Sequence, residues 1–216
     1  MSIAQLVSSA SRVLVLCAHT DDEFGCSGTI SRIVELGATV RYLALSDCVG
    51  SVPPGFPSDV LIHECFACTS RLGIPPERVT IEKFPVRHFP QYRQDILEML
   101  VAVRKTYRPD LVLLPCSYDT HQDHRTVFEE GFRAFKLATI LGYELPQNLT
   151  AFNHSAFVKL SPQQLEAKIH ALSAYQSQEH RPYAVRSFIE SLATVRGVQC
   201  GADYAEAFEV IRLILT

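Results

Sequence analysis

The sequence predicts an α/β domain built in three layers around a mostly parallel sheet, and three observations support this. Short runs rich in Val, Ile and Leu alternate with longer helical patterns, as expected of strands buried on both faces between crossover helices. Glycine follows two of the helical stretches, at Gly37 and Gly73, where a left-handed residue ends a helix. With 216 residues, 47% of them hydrophobic and 20% charged, the chain can bury one substantial core. A single Rossmann-like domain over residues 1–216 is therefore expected.

In chain order, Arg12 to Ala18 (RVLVLCA) is the first strand, Phe24 to Leu36 a helix, and Val40 to Leu45 the second strand. Asp47 to Pro57 holds two Gly and three Pro, and so reads as a loop at the carboxyl edge of the second strand, where ligands commonly bind. A helix over Ser58 to Leu72, a weaker strand over Val79 to Phe84 and a helix over Gln91 to Tyr107 follow. Asp110 to Pro115 (DLVLLP) is a buried strand, and the polar loop Cys116 to His121 leads into a helix through Leu137. Ala156 to Leu160 and Phe208 to Leu215 read as strands, with helices over Pro162 to Tyr175 and Tyr183 to Leu192. No repeat, low-complexity tract or composition break marks a boundary.

Composition narrows the function classes. The net charge is −3, and no stretch clusters Lys and Arg, so a nucleic-acid partner is not expected. No window reaches about 18 apolar residues, and residues 1–12 do not read as a signal peptide. The seven cysteines, an odd number set mostly in apolar runs, read as reduced thiols of a cytoplasmic protein. Cys65 and Cys68 form a lone C-x-x-C inside a helical pattern, which reads as packing rather than a zinc finger.

Chemistry concentrates in two places. Directly after the first strand, Ala18-His19-Thr20-Asp21-Asp22-Glu23 sets one imidazole beside three carboxylates, whose repulsion a cation would relieve. After the strand ending at Pro115 comes His121-Gln122-Asp123-His124. In a parallel sheet, loops at the same edge can meet although about 100 residues separate them. A catalytic zinc needs about three His or carboxylate ligands plus an open position; His19, Asp22 and one His of the second cluster supply them. Asp21, between two of these ligands, is placed to take a proton from attacking water. Taken alone, His19 and Asp22 could form a helix-capping turn, and two His at i and i+3 recur on solvated helix ends. Their occurrence at matching strand ends favours a metal site.

These motifs resemble the two signatures of the N-acetylglucosaminyl deacetylase family related to PIG-L, also called LmbE-like. Gly25, Gly28, Glu64, Arg108-Pro109-Asp110, Ser177-Gln178 and Tyr204-Ala205-Glu206-Ala207-Phe208 are similar to further family features. The resemblance implies that His19, Asp22 and His124 bind zinc and that Asp21 is the general base; a His and carboxylate donor set also admits iron or another divalent ion. It implies that His121 is a cationic stabiliser or proton donor, and that Asp123 orients a neighbouring histidine. It further implies removal of an acetyl group from a small N-acetylated sugar conjugate, and a homo-oligomer. Thr20 and Gln122 stand where the family commonly has Pro, and the loop Ser46 to Ser51 departs from its usual pattern.

Two other readings stand beside it: a metal-dependent hydrolase of a phosphoester or of an acyl group on a non-sugar scaffold, and a ligand-binding module without catalysis. A phosphoesterase would need more ligands, often for two metals about 4 Å apart. A binding module of the dinucleotide type would show G-x-G-x-x-G after the first strand, and the sequence has none there. His88, Tyr92 and Arg93, like Asn153 and His154, read equally as pocket or surface residues. Cys48 and Cys116 fall in loops near the site without an activating motif.

Overall fold

A computed structural model describes residues 3–214. Its elements are α1 (Ile3–Leu6), β1 (Arg12–Cys17), α2 (Ser27–Glu35), β2 (Thr39–Ala44), α3 (Val60–Arg71), β3 (Val79–Ile81) and α4 (Arg93–Tyr107). There follow β4 (Leu111–Pro115), α5 (Gln122–Ala134), β5 (Thr139–Tyr143), β6 (Ala156–Leu160), α6 (Pro162–Leu172), α7 (Arg186–Cys200) and β7 (Tyr204–Arg212). The seven strands form one sheet in the order β3-β2-β1-β4-β5-β7-β6. The first five positions are parallel, and β7 runs antiparallel between β5 and β6.

Period-2 alternation along β1 divides the core. Val13, Val15 and Cys17 pack with Ile30, Ile33, Leu61 and Leu172 under α2, α3 and α6. Leu14, Leu16 and Ala18 pack on the other face with Ile96, Leu100, Val127 and Ala134 of α4 and α5. Each face is thus covered by helices, as the continuous apolar strands require. Gly131 lets helix α5 approach the sheet, because a Cβ there would stand 2.9 Å from Leu114 Cδ2.

The chain lays down β1, β2 and β3 outward, then returns to place β4 on the other side of β1. Strand order reverses there, opening a crevice at the carboxyl ends of β1 and β4. Pairing of Val15 with Leu113 brings the two strand ends level. The two motif-bearing loops therefore face each other.

Differences from the sequence reading have physical reasons. The sequence reading carries the helix to Leu137 and has no strand after it, where Gly142 interrupts a short apolar run; α5 ends at Ala134 and β5 follows. Helix α7 reaches Cys200 although Gly197 weakens its pattern, and β7 starts at Tyr204. The expected end of that strand, Leu215, lies outside the described residues. Strand β3 stops at Ile81, as an edge strand paired only with β2.

The C-terminal Tyr204-to-Phe208 motif serves the fold. Glu206 accepts the N–H groups of Gly28 (3.0 Å) and Thr29 (2.7 Å) at the first turn of α2. It also pairs with Lys168 at 2.6 Å, both side chains being buried. Glu206→Ala leaves an unpaired buried ammonium, and about 3–5 kcal/mol of stability should be lost. Urea unfolding checks this; a loss below about 1 kcal/mol would mean that water reaches Lys168.

Candidate active site

The three consecutive acids after β1 point in three directions. Asp22 turns back on its own loop, where Oδ2 accepts the N–H groups of Ala18 (2.8 Å) and His19 (2.9 Å). Glu23 is fully buried and accepts hydroxyl groups from Tyr42 (2.7 Å) and Tyr175 (2.6 Å). Burial pushes its pKa up to about 7, against the hydrogen bonds from these tyrosines. Glu23 is therefore an anchor beneath the loop. Asp21 alone of the three remains partly exposed, and with Asp22 it lines an open cavity of about 200 Å³ at the crevice.

The second motif arrives from the turn between β4 and α5. His124 points its Nε2 at His19 Nδ1, 2.9 Å away, and at Asp22 Oδ1, 3.3 Å away; His19 Nδ1 lies 3.6 Å from Asp22 Oδ1. Ligand bonds of 2.0–2.2 Å in a tetrahedron put neighbouring ligand atoms about 3.3–3.6 Å apart, so this triangle is close to the size that one zinc ion would need. His121 offers another ring nitrogen, but the three histidines match one another only within 4.8 Å. The tighter set is His19, Asp22 and His124.

Each facing imidazole is backed by an acid. Asp119 Oδ2 lies 2.7 Å from His124 Nδ1, and Asp123 Oδ2 lies 3.1 Å from His19 Nε2. A ligand histidine is normally oriented in this way. Asp123 also accepts the N–H groups of Arg87 and Phe89, tying the segment after β3 to the centre. Asp119 was missed in the sequence, although the need for a carboxylate behind each ligand histidine could have singled it out.

Burial works against charge at this centre, yet the acids prevail. For His19 burial lowers the pKa, and the Asp22 charge with the Asp123 and Asp22 hydrogen bonds raises it to about 9. His124 is raised to about 10 by Asp22 and Asp119 in the same way. Asp22, although burial pushes it up, is held well below the carboxylate range by both imidazoles. The centre thus favours positive charge between these side chains, and a bound dication would take the place of the ring protons.

His121 is different. Its Nδ1 accepts the Asp123 N–H at 3.2 Å, capping α5. Burial, followed by the His124 and His19 charges, lowers its pKa to about 4. Burial also raises Asp21, with the neighbouring Asp22 charge adding to it.

His88, Tyr92 and Arg93 do not line the cavity: Tyr92 packs on Phe84, and Arg93 pairs with Glu129 and Glu130. His154 bonds the Phe152 carbonyl and Arg196. Cys48 and Cys116 are buried thiols raised to about 12 by burial, unsuited to attack. Cys65 and Cys68 are buried and free. The cavity is lined instead by residues that the sequence reading did not choose, among them Arg87, Asn148, Arg181 and Tyr183. No helix among the described residues is long and apolar enough to cross a membrane.

The chain matches the family model described as PIG-L: GlcNAc-PI de-N-acetylase over residues 14–135. That is more than half of its length, and the chain belongs to this family. It is 25% identical over 225 residues to the diacetylchitobiose deacetylase of Thermococcus kodakarensis, covering 93% of this chain and 83% of that protein. In fold it is similar to the N,N'-diacetylchitobiose deacetylase from Pyrococcus horikoshii, with a TM-score of 0.77 at 20% identity over 94% of this chain and 84% of the other. It is also similar to GalB, the 4-carboxy-2-hydroxymuconate hydratase of Pseudomonas putida KT2440, with a TM-score of 0.75 at 18% identity over 95% and 98%. One architecture therefore carries differently named reactions, and the reaction has to be argued from the site.

Proposed function

We propose that this protein is a zinc-dependent hydrolase that removes an N-acetyl group from a small amino-sugar conjugate, the chain working as one domain in a reducing cytoplasm. The observation that carries the proposal is the convergence of His19 Nδ1, Asp22 Oδ1 and His124 Nε2 within 2.9–3.6 Å beside Asp21 in the cavity. His19, Asp22 and His124 would hold a zinc ion, which would supply Lewis acidity and make water a competent nucleophile near neutral pH. Asp21, not needed as a ligand, accepts the proton of the attacking water. His121, neutral with Nδ1 as acceptor, donates from Nε2 to the carbonyl oxygen as it gains charge. Asp21 then returns its proton to the departing amine. The products are acetate and a free amine.

Incubating zinc-reconstituted protein with a panel of N-acetylglucosamine conjugates tests this, with acetate and free amine measured together. Equal release of the two supports the reading; consumption of substrate without acetate would contradict it. Asp119→Ala should weaken zinc binding by about 10–100-fold through loss of the acid behind His124. Chelator competition on folded protein measures this, and an unchanged zinc affinity would remove Asp119 from the centre.

A further inference from the structure

Two guanidinium groups line the cavity, and no acid meets either of them among the described residues. Arg87 Nη2 donates to the Gly50 carbonyl at 2.9 Å, and Arg181 Nε donates to Gln178 Oε1 at 3.1 Å. Both partners are neutral. Arg32, Arg41, Arg71 and Arg104 also bond neutral groups, but what sets Arg87 and Arg181 apart is their place in the lining of the cavity beside Asp21.

Both side chains are held in place before any ligand arrives. Arg87 adopts φ +70°, a conformation that costs a non-glycine residue free energy and tends to persist where function requires it. The Asp123 carboxylate, by accepting the Arg87 N–H, fixes that turn to the metal centre. Arg181 rests on buried Gln178, whose Nε2 donates to Ser177 Oγ at 3.1 Å. Ser177 in turn donates its hydroxyl (2.6 Å) and N–H (2.8 Å) to buried Glu64. Glu64 and Ser177-Gln178 thus support the arginine. Tyr183 lines the same cavity; burial chiefly raises its pKa to about 12, and it feels the charges of both Asp21 and Arg181. The arginine therefore lies within electrostatic reach of the reacting end.

Guanidinium groups match carboxylate and phosphate oxygens in geometry and charge. Two of them beside a dication site disfavour a second cation and welcome an anion. We infer that the amino-sugar conjugate carries an oxyanion, carboxylate or phosphate, bound by Arg87 and Arg181 while the acyl amide lies at Asp21. This rests on the deacetylase reading and narrows its substrate class.

The test uses zinc-loaded Asp21→Asn protein, which should bind without turnover. Three probes are titrated calorimetrically: the methyl, the carboxymethyl and the 1-phosphate derivatives of N-acetylglucosamine. At least one anionic probe should bind about tenfold or more tighter than the methyl glycoside, the scale of a charge-assisted contact. Which anion prevails names the source. The preference should shrink to about threefold or less when Arg181→Met and Arg87→Asn are added, and should weaken with salt in the parent protein. Equal affinity for all three probes would overturn the inference. So would a preference unchanged in the arginine variants, which would assign the anion to the metal. Wild-type turnover separates the two readings. Acetate released equally well from all three probes keeps the deacetylase and removes the anion site, whereas arginine-dependent anion binding without acetate release keeps the site and removes the deacetylase.

Discussion

Asp21→Asn is expected to lower kcat by about 10²–10⁴-fold, the usual contribution of a positioned general base, while zinc content and KM change little. Asp21 is the partly exposed member of three consecutive acids and lines the cavity beside the triangle of facing atoms. Asp22 and Glu23 are already engaged, by backbone N–H groups and by two tyrosines. An amide at position 21 keeps the shape but cannot take a proton. Steady-state kinetics with metal analysis of the same sample decides the matter: a variant that keeps more than about a tenth of wild-type kcat would move the base elsewhere, whereas one that loses its zinc would make Asp21 a ligand.

Asp22→Asn is expected to have the other large effect, on zinc itself. Losing an outer partner costs about 10–100-fold in affinity, and losing a direct ligand should cost more. The Asp22 charge is also the main influence that raises the His19 and His124 pKa values against burial. In metal-free Asp22→Asn protein both imidazoles should therefore titrate lower, visible in ring proton shifts followed by NMR between pH 5 and 10. Wild-type zinc affinity in this variant would show that the metal sits among the three histidines instead.

Much of this centre was legible in the chain because its side chains come in two compact clusters, each shortly after a strong apolar strand. The strands Arg12–Cys17 and Leu111–Pro115 announce themselves, and a parallel sheet carries their loops to one edge. What was not legible depends on distance in sequence. Arg87 and Arg181 enter the cavity from turns whose local composition resembles surface. Asp119 serves His124 only because the turn before α5 folds back on itself. Strand β5 was hidden by Gly142, whose missing side chain admits the Cys116 backbone: a Cβ there would lie 2.8 Å from Cys116 Cα. The same close approach seats the loop that carries Asp119 and His121.

The most direct test is the rate of acetate release measured against zinc occupancy as metal-free protein is titrated with zinc. The rate should be near zero without metal, rise in proportion to bound zinc and level off at one zinc per chain. Acetate release at full rate from metal-free protein, or none from any N-acetylated sugar conjugate at full occupancy, would contradict the account.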